Sequence, residues 1–334
     1  MYIEECARAQ IHELKGVNAP ELRTQVDLLL YQAFPRKMIL VVRASGDILM
    51  YGFVTAHPHM SLDLPSISSL STEPILFAQV PALDTVHDKL ASFVDAVPSL
   101  TNSSKIKDDL AQQIFPWLKQ RYVQKSEAPA SPAVVGAFGQ TIGALVADLP
   151  AASMFPLFDI WRLAILEPTI ARATLTPLVK VLASTSETVS SSPRATLLTL
   201  LRLTTNALGT SSLSRSLLLP AGAHDARAAL TSVLVQTLLH PDRLVRVAAA
   251  SLAFNVGAWV QRSRAARIKG EEAGDGIRED EEDGDWEVEL VSAVAEALAG
   301  EEESEDAGEL YVFCARPMIT ITITTITGVE RSSR

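Results

Sequence analysis

The stretch that decides the fold is LLTLLRLTTNAL, residues 197–208, which returns in altered form as RVAAASLAFNVG at 246–257. Set with Asn206 over Asn255, the copies lie 49 residues apart, slightly above the spacing of about 40–47 residues in helical armadillo or HEAT repeats. In the first copy Thr199, Arg202 and Asn206 stand at i, i+3 and i+7, which is one face of a helix. In the second, the same places hold Ala248, Ser251 and Asn255, and the faces around both stripes are filled by Leu, Val, Ala and Phe. A third member, FPLFDIWRLAILEP at 155–168, puts Arg162 40 residues before Arg202, with Asp159 one turn earlier. Taken singly, each polar residue also fits an ordinary surface or capping group. Three such stripes on otherwise apolar helices favour the inner, groove-lining face of a solenoid.

The surroundings agree. The 334 residues are 48% hydrophobic but only 6% aromatic, a bias toward helix rather than a β-sandwich. Periodicity and breakers predict helices at roughly 134–148, 153–166, 169–184, 193–209, 224–240, 242–262 and 285–300. Upstream, PALDTVHDKLASFVDAV carries Leu83, Val86, Leu90, Phe93 and Val94 on one face. DDLAQQIFPWLKQRYVQ is a second helix, kinked or ended near Pro116. SEAPASPA has the composition of a linker. The expected fold class is thus all-α, an armadillo-like right-handed helical solenoid over 133–300, with 57–132 a helical linker region.

Both ends differ in style. In residues 1–35 a strand, a turn at Gly16 and a helix capped by Asn18 are expected, with Leu22, Val26, Leu29 and Leu30 on its apolar face. Residues 36–56 interrupt a continuous FP–HPH loop, which favours an insert foreign to the native fold. As a native element, MILVV and ILMYGFV would pair as a hairpin across Ser-Gly-Asp. Residues 270–285 read as an acidic disordered loop, and 301–334, with its Thr/Ile alternation, as a disordered or misread tail. Between Glu271 and Glu309 there are 18 Asp or Glu against one basic residue, Arg278, so a net charge of -10 leaves the rest of the chain at +7. That remainder is too weakly basic, and too poor in aromatics among its basic residues, for nucleic acid. No uninterrupted apolar run approaches the about 18 residues of a membrane span, and MYIEECARAQ has no basic and apolar leader.

Chemistry is sparse. Cys6 and Cys314 form no C-x-x-C pair and no zinc site, in keeping with a reducing compartment, the cytoplasm and also the nucleus. His57-Pro-His59 reads as a turn and His240-Pro241 as a helix junction. No G-x-S-x-G, H-E-x-x-H or phosphate-binding loop occurs. A non-enzyme without cofactor or metal is expected.

FPLFDIWRLAILEP, LLTLLRLTTNAL and HPDRLVRVAAASLAFNVG, in that order over about 135–300, resemble the PUL domain, an armadillo-like helical domain of ubiquitin-pathway proteins. Residues 1–35 resemble the last strand and helix of a thioredoxin domain, without its paired cysteines or cis-proline loop, and fungal fusions of a PPPDE peptidase, a thioredoxin domain and a PUL domain share that order. The PUL resemblance implies a concave basic face that binds the acidic C-terminal tail of the AAA ATPase valosin-containing protein. Carried onto this sequence, Arg162, Arg202, Asn206 and Asn255 line that face, with Thr199 and Ser251 on the same stripes. Arg243 and Arg246 are further candidates, although they sit about 120° round the helix from Asn255 and also suit capping. The last repeats of the family are not seen after EVELVSAVAEALAGEEE. Two other functions fit the same residues, a general armadillo-type scaffold for extended peptides and a fragment of the thioredoxin–peptidase fusion enzyme.

Overall fold

Prolines punctuate the helical region, and at Pro116 and near Pro177 the helical run changes. In the computed structural model, which describes residues 39–42, 48–51, 73–98, 100, 102–219, 224–268 and 285–300, α1 spans Leu83–Asp95 and buries Leu83, Leu90 and Val94. α2, Ser103–Asp109, runs into a π-helical turn Leu110–Ile114, a short α3 at Phe115–Leu118 and a second π-helical turn Lys119–Val123. Pro116 has no N–H to return to the fourth residue before it, and the ladder slips to the wider spacing seen in Phe115 N–H to Leu110 O. The expected kink is therefore a change of helical register rather than a stop.

Beyond the linker come α4 (Pro132–Asp148), α5 (Phe155–Ala164), α6 (Pro168–Ala173), α7 (Leu175–Ser186), α8 (Arg194–Ala207), α9 (Ser211–Leu218), α10 (His224–Leu238) and α11 (Arg243–Ile268). The single helix expected over 169–184 is two. Pro177 would clash with the carbonyl of Ala173 in a continuous helix, and Thr174 breaks the run, its hydroxyl donating to Ile170 O at 2.8 Å while accepting from Trp161 Nε1 at 3.0 Å. α9 was not expected at all. Its Ser-rich sequence lies between the helices predicted at 193–209 and 224–240, yet Leu213, Leu217 and Leu218 are buried, and Ser214 is satisfied inside by Leu208 O at 2.8 Å.

These two short helices complete three-helix units, α6–α7–α8 and α9–α10–α11. Within Pro74–Val256, which forms one unit of the chain, α4, α7 and α10 pack in one row, α6 packs on α9, and α5 packs on α8 with α1 against it. Trp161, Phe138 and Phe158 are the largest side chains wholly inside. The window Arg243–Ser263 of α11 is long and apolar enough to cross a membrane, at mean hydropathy 1.3, but 72% of it is buried within the protein, as in a core helix.

Among the other described residues, β1 (Ile39–Val42) and β2 (Ile48–Tyr51) pair antiparallel with Ile39 opposite Tyr51, the pairing the two apolar runs would make as a native element. α12 (Asp285–Gly300) buries Leu290, Ala293, Val294 and Ala297, the i, i+3, i+4, i+7 stripe of an amphipathic helix. The strand and capped helix read in 1–35, the acidic residues 270–284 and the tail 301–334 lie outside the described residues.

Tyr122 ties the second π-helical turn to α5, its hydroxyl donating to Leu163 O at 2.5 Å. Burial pushes this phenol up to about 12, opposed by the charge of Arg121 and reinforced by that of Glu167. The fold favours the protonated form, so this contribution to stability is complete below the ordinary tyrosine value of about 10 and is lost as pH rises from there to about 12. Tyr122→Phe should remove that part of the alkaline destabilisation and cost about 1 kcal/mol at neutral pH, read from denaturant unfolding across the pH range.

Candidate peptide-docking site

Helix ends decide what the stripe residues do. At the end of α5 the chain tightens, and Leu166 N–H turns to Leu163 O instead of Arg162 O. At the end of α8, Gly209 N–H goes to Asn206 O instead of Thr205 O. Each helix is thereby left with a last-turn carbonyl lacking an intrahelical partner. The Nδ2 of Asn206 donates to Arg162 O at 2.6 Å, and the Nδ2 of Asn255 donates to Thr205 O at 2.9 Å. Each asparagine caps the helix of the preceding unit and so sets α5, α8 and α11 side by side.

The rest of each carboxamide faces a segment that sequence reading assigned no role, Ile75–Gln79. Asn255 accepts from Ile75 N–H at 2.8 Å and donates to Ile75 O at 2.9 Å. Asn206 accepts from Phe77 N–H at 2.7 Å and donates to Phe77 O at 3.0 Å. Arg162 continues the series, with Nη1 to Phe77 O at 2.7 Å and Nη2 to Gln79 O at 2.8 Å. Its Nε is held by Asp159 Oδ1 at 2.6 Å, one turn earlier on α5. Contacts at residues 75, 77 and 79 follow the two-residue step of an extended chain. The three side chains form a ladder that reads main chain, and all three are buried, Asn206 and Asn255 to within 1%.

Arg202 stands one turn before Asn206. Its guanidinium carbon lies 5.5 Å from the centre of the Phe77 ring, within reach of a cation–π attraction. Its Nε is buried without a hydrogen-bond partner. Leu76 rests against Gly209, where a Cβ would come within 2.5 Å of Leu76 Cδ2.

The other candidates stand apart from the segment. Thr199 turns its hydroxyl back to Ala195 O and Thr196 O, and Ser251 to Val247 O. Arg246 donates to His240 O and Pro241 O at the turn before α11, as a capping group would. Arg243 is exposed at the start of the same helix. That start is fixed by Asp242, whose Oδ1 accepts from Leu244 and Val245 N–H and whose Oδ2 pairs with Arg194 at 2.6 Å.

Compared with known families, the chain matches the PUL domain over residues 71–314. The match takes in the segment Ile75–Gln79 and α1 ahead of the 135–300 region in which the resemblance was read. Among curated proteins no relative matches the chain.

The ladder predicts an alternating exchange pattern. The amides of Ile75 and Phe77 should be strongly protected against solvent exchange, and those of Leu76 and Ala78 should exchange fast, as read by NMR. Asn206→Leu, which strands the Phe77 amide and the carbonyl of Arg162, should cost at least about 2 kcal/mol and abolish the protection of Phe77.

Proposed function

The chain belongs to the PUL domain family, protein-interaction domains of the ubiquitin pathway, and we propose that it is an adaptor that docks the acidic C-terminal tail of the AAA ATPase valosin-containing protein. The observation that carries the proposal is the state of the stripe. It already holds an extended chain by main-chain groups, and beside that chain it leaves the half-buried Arg202 against the ring of Phe77, with no carboxylate paired to it among the described residues. A guanidinium has the planar fork that suits a carboxylate, so an acidic extended segment supplies what Arg202 lacks. Arg162, Asn206 and Asn255 serve by fixing Ile75–Gln79 as part of the docking surface. Thr199, Ser251 and Arg246 bond within their own repeats, and with Arg243 they are assigned to the repeats' own structure.

Calorimetry of the full chain with the tail peptide tests this directly. Arg202→Ala should weaken binding by about 1.5–3 kcal/mol, the range for a charge-assisted bond, and added salt should weaken it further. No binding, or equal binding by Arg202→Ala, would overturn the assignment. Binding of unrelated acidic extended peptides as tightly as the tail would favour a general peptide scaffold instead.

A further inference from the structure

The segment Ile75–Gln79 has two edges, because the main-chain groups of alternate residues in an extended chain point to opposite sides. One edge is consumed by the ladder at Ile75, Phe77 and Gln79. On the other, among the described residues, neither the N–H nor the C=O of Leu76 or Ala78 has a hydrogen-bond partner. Both residues are exposed, Leu76 at 45%. A strand fixed along one side and unpaired along the other is a template for strand addition. Arg202 is packed on the ring of Phe77 in the middle of that strand, with no carboxylate beside it among the described residues.

We infer that an acidic partner peptide adds as a second strand along the Leu76–Ala78 edge, with a carboxylate on Arg202, while the Asn255–Asn206–Arg162 ladder stays closed on the chain's own segment. This rests on the reading of the chain as a docking module for an acidic extended tail and assigns where and how that tail is held. The alternative, displacement of Ile75–Gln79, would strip six hydrogen bonds from three buried side chains. The incoming peptide would also compete with a segment tethered to α1 through only Val80, Pro81 and Ala82, whose effective concentration is on the order of millimolar or above. Edge addition breaks no bond. It also leaves peptide side chains free to vary on one face, with the charge at Arg202 selecting for acidity.

The test is amide exchange by NMR on the full chain with two probes, an alternating Glu–Val peptide of about ten residues, long enough to pair as a strand, and the ATPase tail peptide. The Glu–Val peptide should slow exchange at Leu76 and Ala78 by about tenfold or more, the size that one added bond of about 1.4 kcal/mol gives, and leave Ile75 and Phe77 as protected as before. Ala78→Pro deletes one edge N–H without touching the ladder and should weaken binding at least about tenfold on the same scale, with Tm unchanged. If that variant melts early, peptides N-methylated at alternate residues read the same bonds from the other side, and only one phase of methylation should abolish binding. Loss of protection at Ile75 and Phe77, binding that shields neither Leu76 nor Ala78, or no binding of the Glu–Val peptide would overturn the inference. If the Glu–Val peptide shields the edge and the tail peptide does not bind, the edge stands and the partner assignment falls. If the tail binds but shields neither amide, the partner stands and the edge falls.

Discussion

Asn206 and Asn255 each engage three main-chain groups, the N–H and C=O of one residue of the 75–79 segment and the unpaired carbonyl at the end of the preceding helix. The rest of the Pro74–Val256 unit is arranged around those hydrogen bonds. A carboxamide buried to 0% or 1% is costly unless satisfied, and here both donors and one acceptor position are used. The same side chain thus sets the spacing between successive units and fixes the segment that crosses them. Six hydrogen bonds at about 1 kcal/mol each come close to the about 1–2 kcal/mol per residue needed to order five residues of backbone. The Phe77–Arg202 stack and the Leu76–Gly209 contact add to them.

Arg162 and Arg202, 40 residues apart on equivalent stripes, show what burial does to one residue type in two settings. Arg162 is 5% exposed and has every nitrogen engaged, with Asp159 on Nε and carbonyls on both Nη atoms. A buried guanidinium in that state is a structural fixture, since removing any partner would strand its charge. Arg202 has an aromatic ring where Arg162 has a carboxylate, and its Nε is buried without a hydrogen-bond partner.

Much of this was legible in the sequence, for reasons that can be named. The long helices follow from apolar periodicity, and the stripe follows from setting Asn206 over Asn255, because a repeat must present the same face at each step. Pro177 carried the signal for the break at Thr174 but was outweighed by continuous helical periodicity across it. α9 was hidden because serine propensity argues for loop, whereas burial of Leu213, Leu217 and Leu218 decides the outcome. The segment ILFAQ was the hardest to foresee. It is recognised through N–H and C=O, which every residue has, so its side chains carry no mark of the role.

The ladder is also a vernier. Packed helices stand about 8–10 Å apart, while two residues of extended chain advance by about 6.6–6.8 Å. Rungs set one per helix therefore drift against the strand they hold. Asn255 and Asn206, with short arms, each meet both groups of one residue, Ile75 and then Phe77. By the third helix the short arm is replaced by Arg162, whose longer reach spans from Phe77 O to Gln79 O. Such a gauge runs out after a few divisions. A solenoid that grips a strand across its helices can thus lengthen by further units without lengthening the grip, and its hold on an extended chain is confined to a window of about three helices.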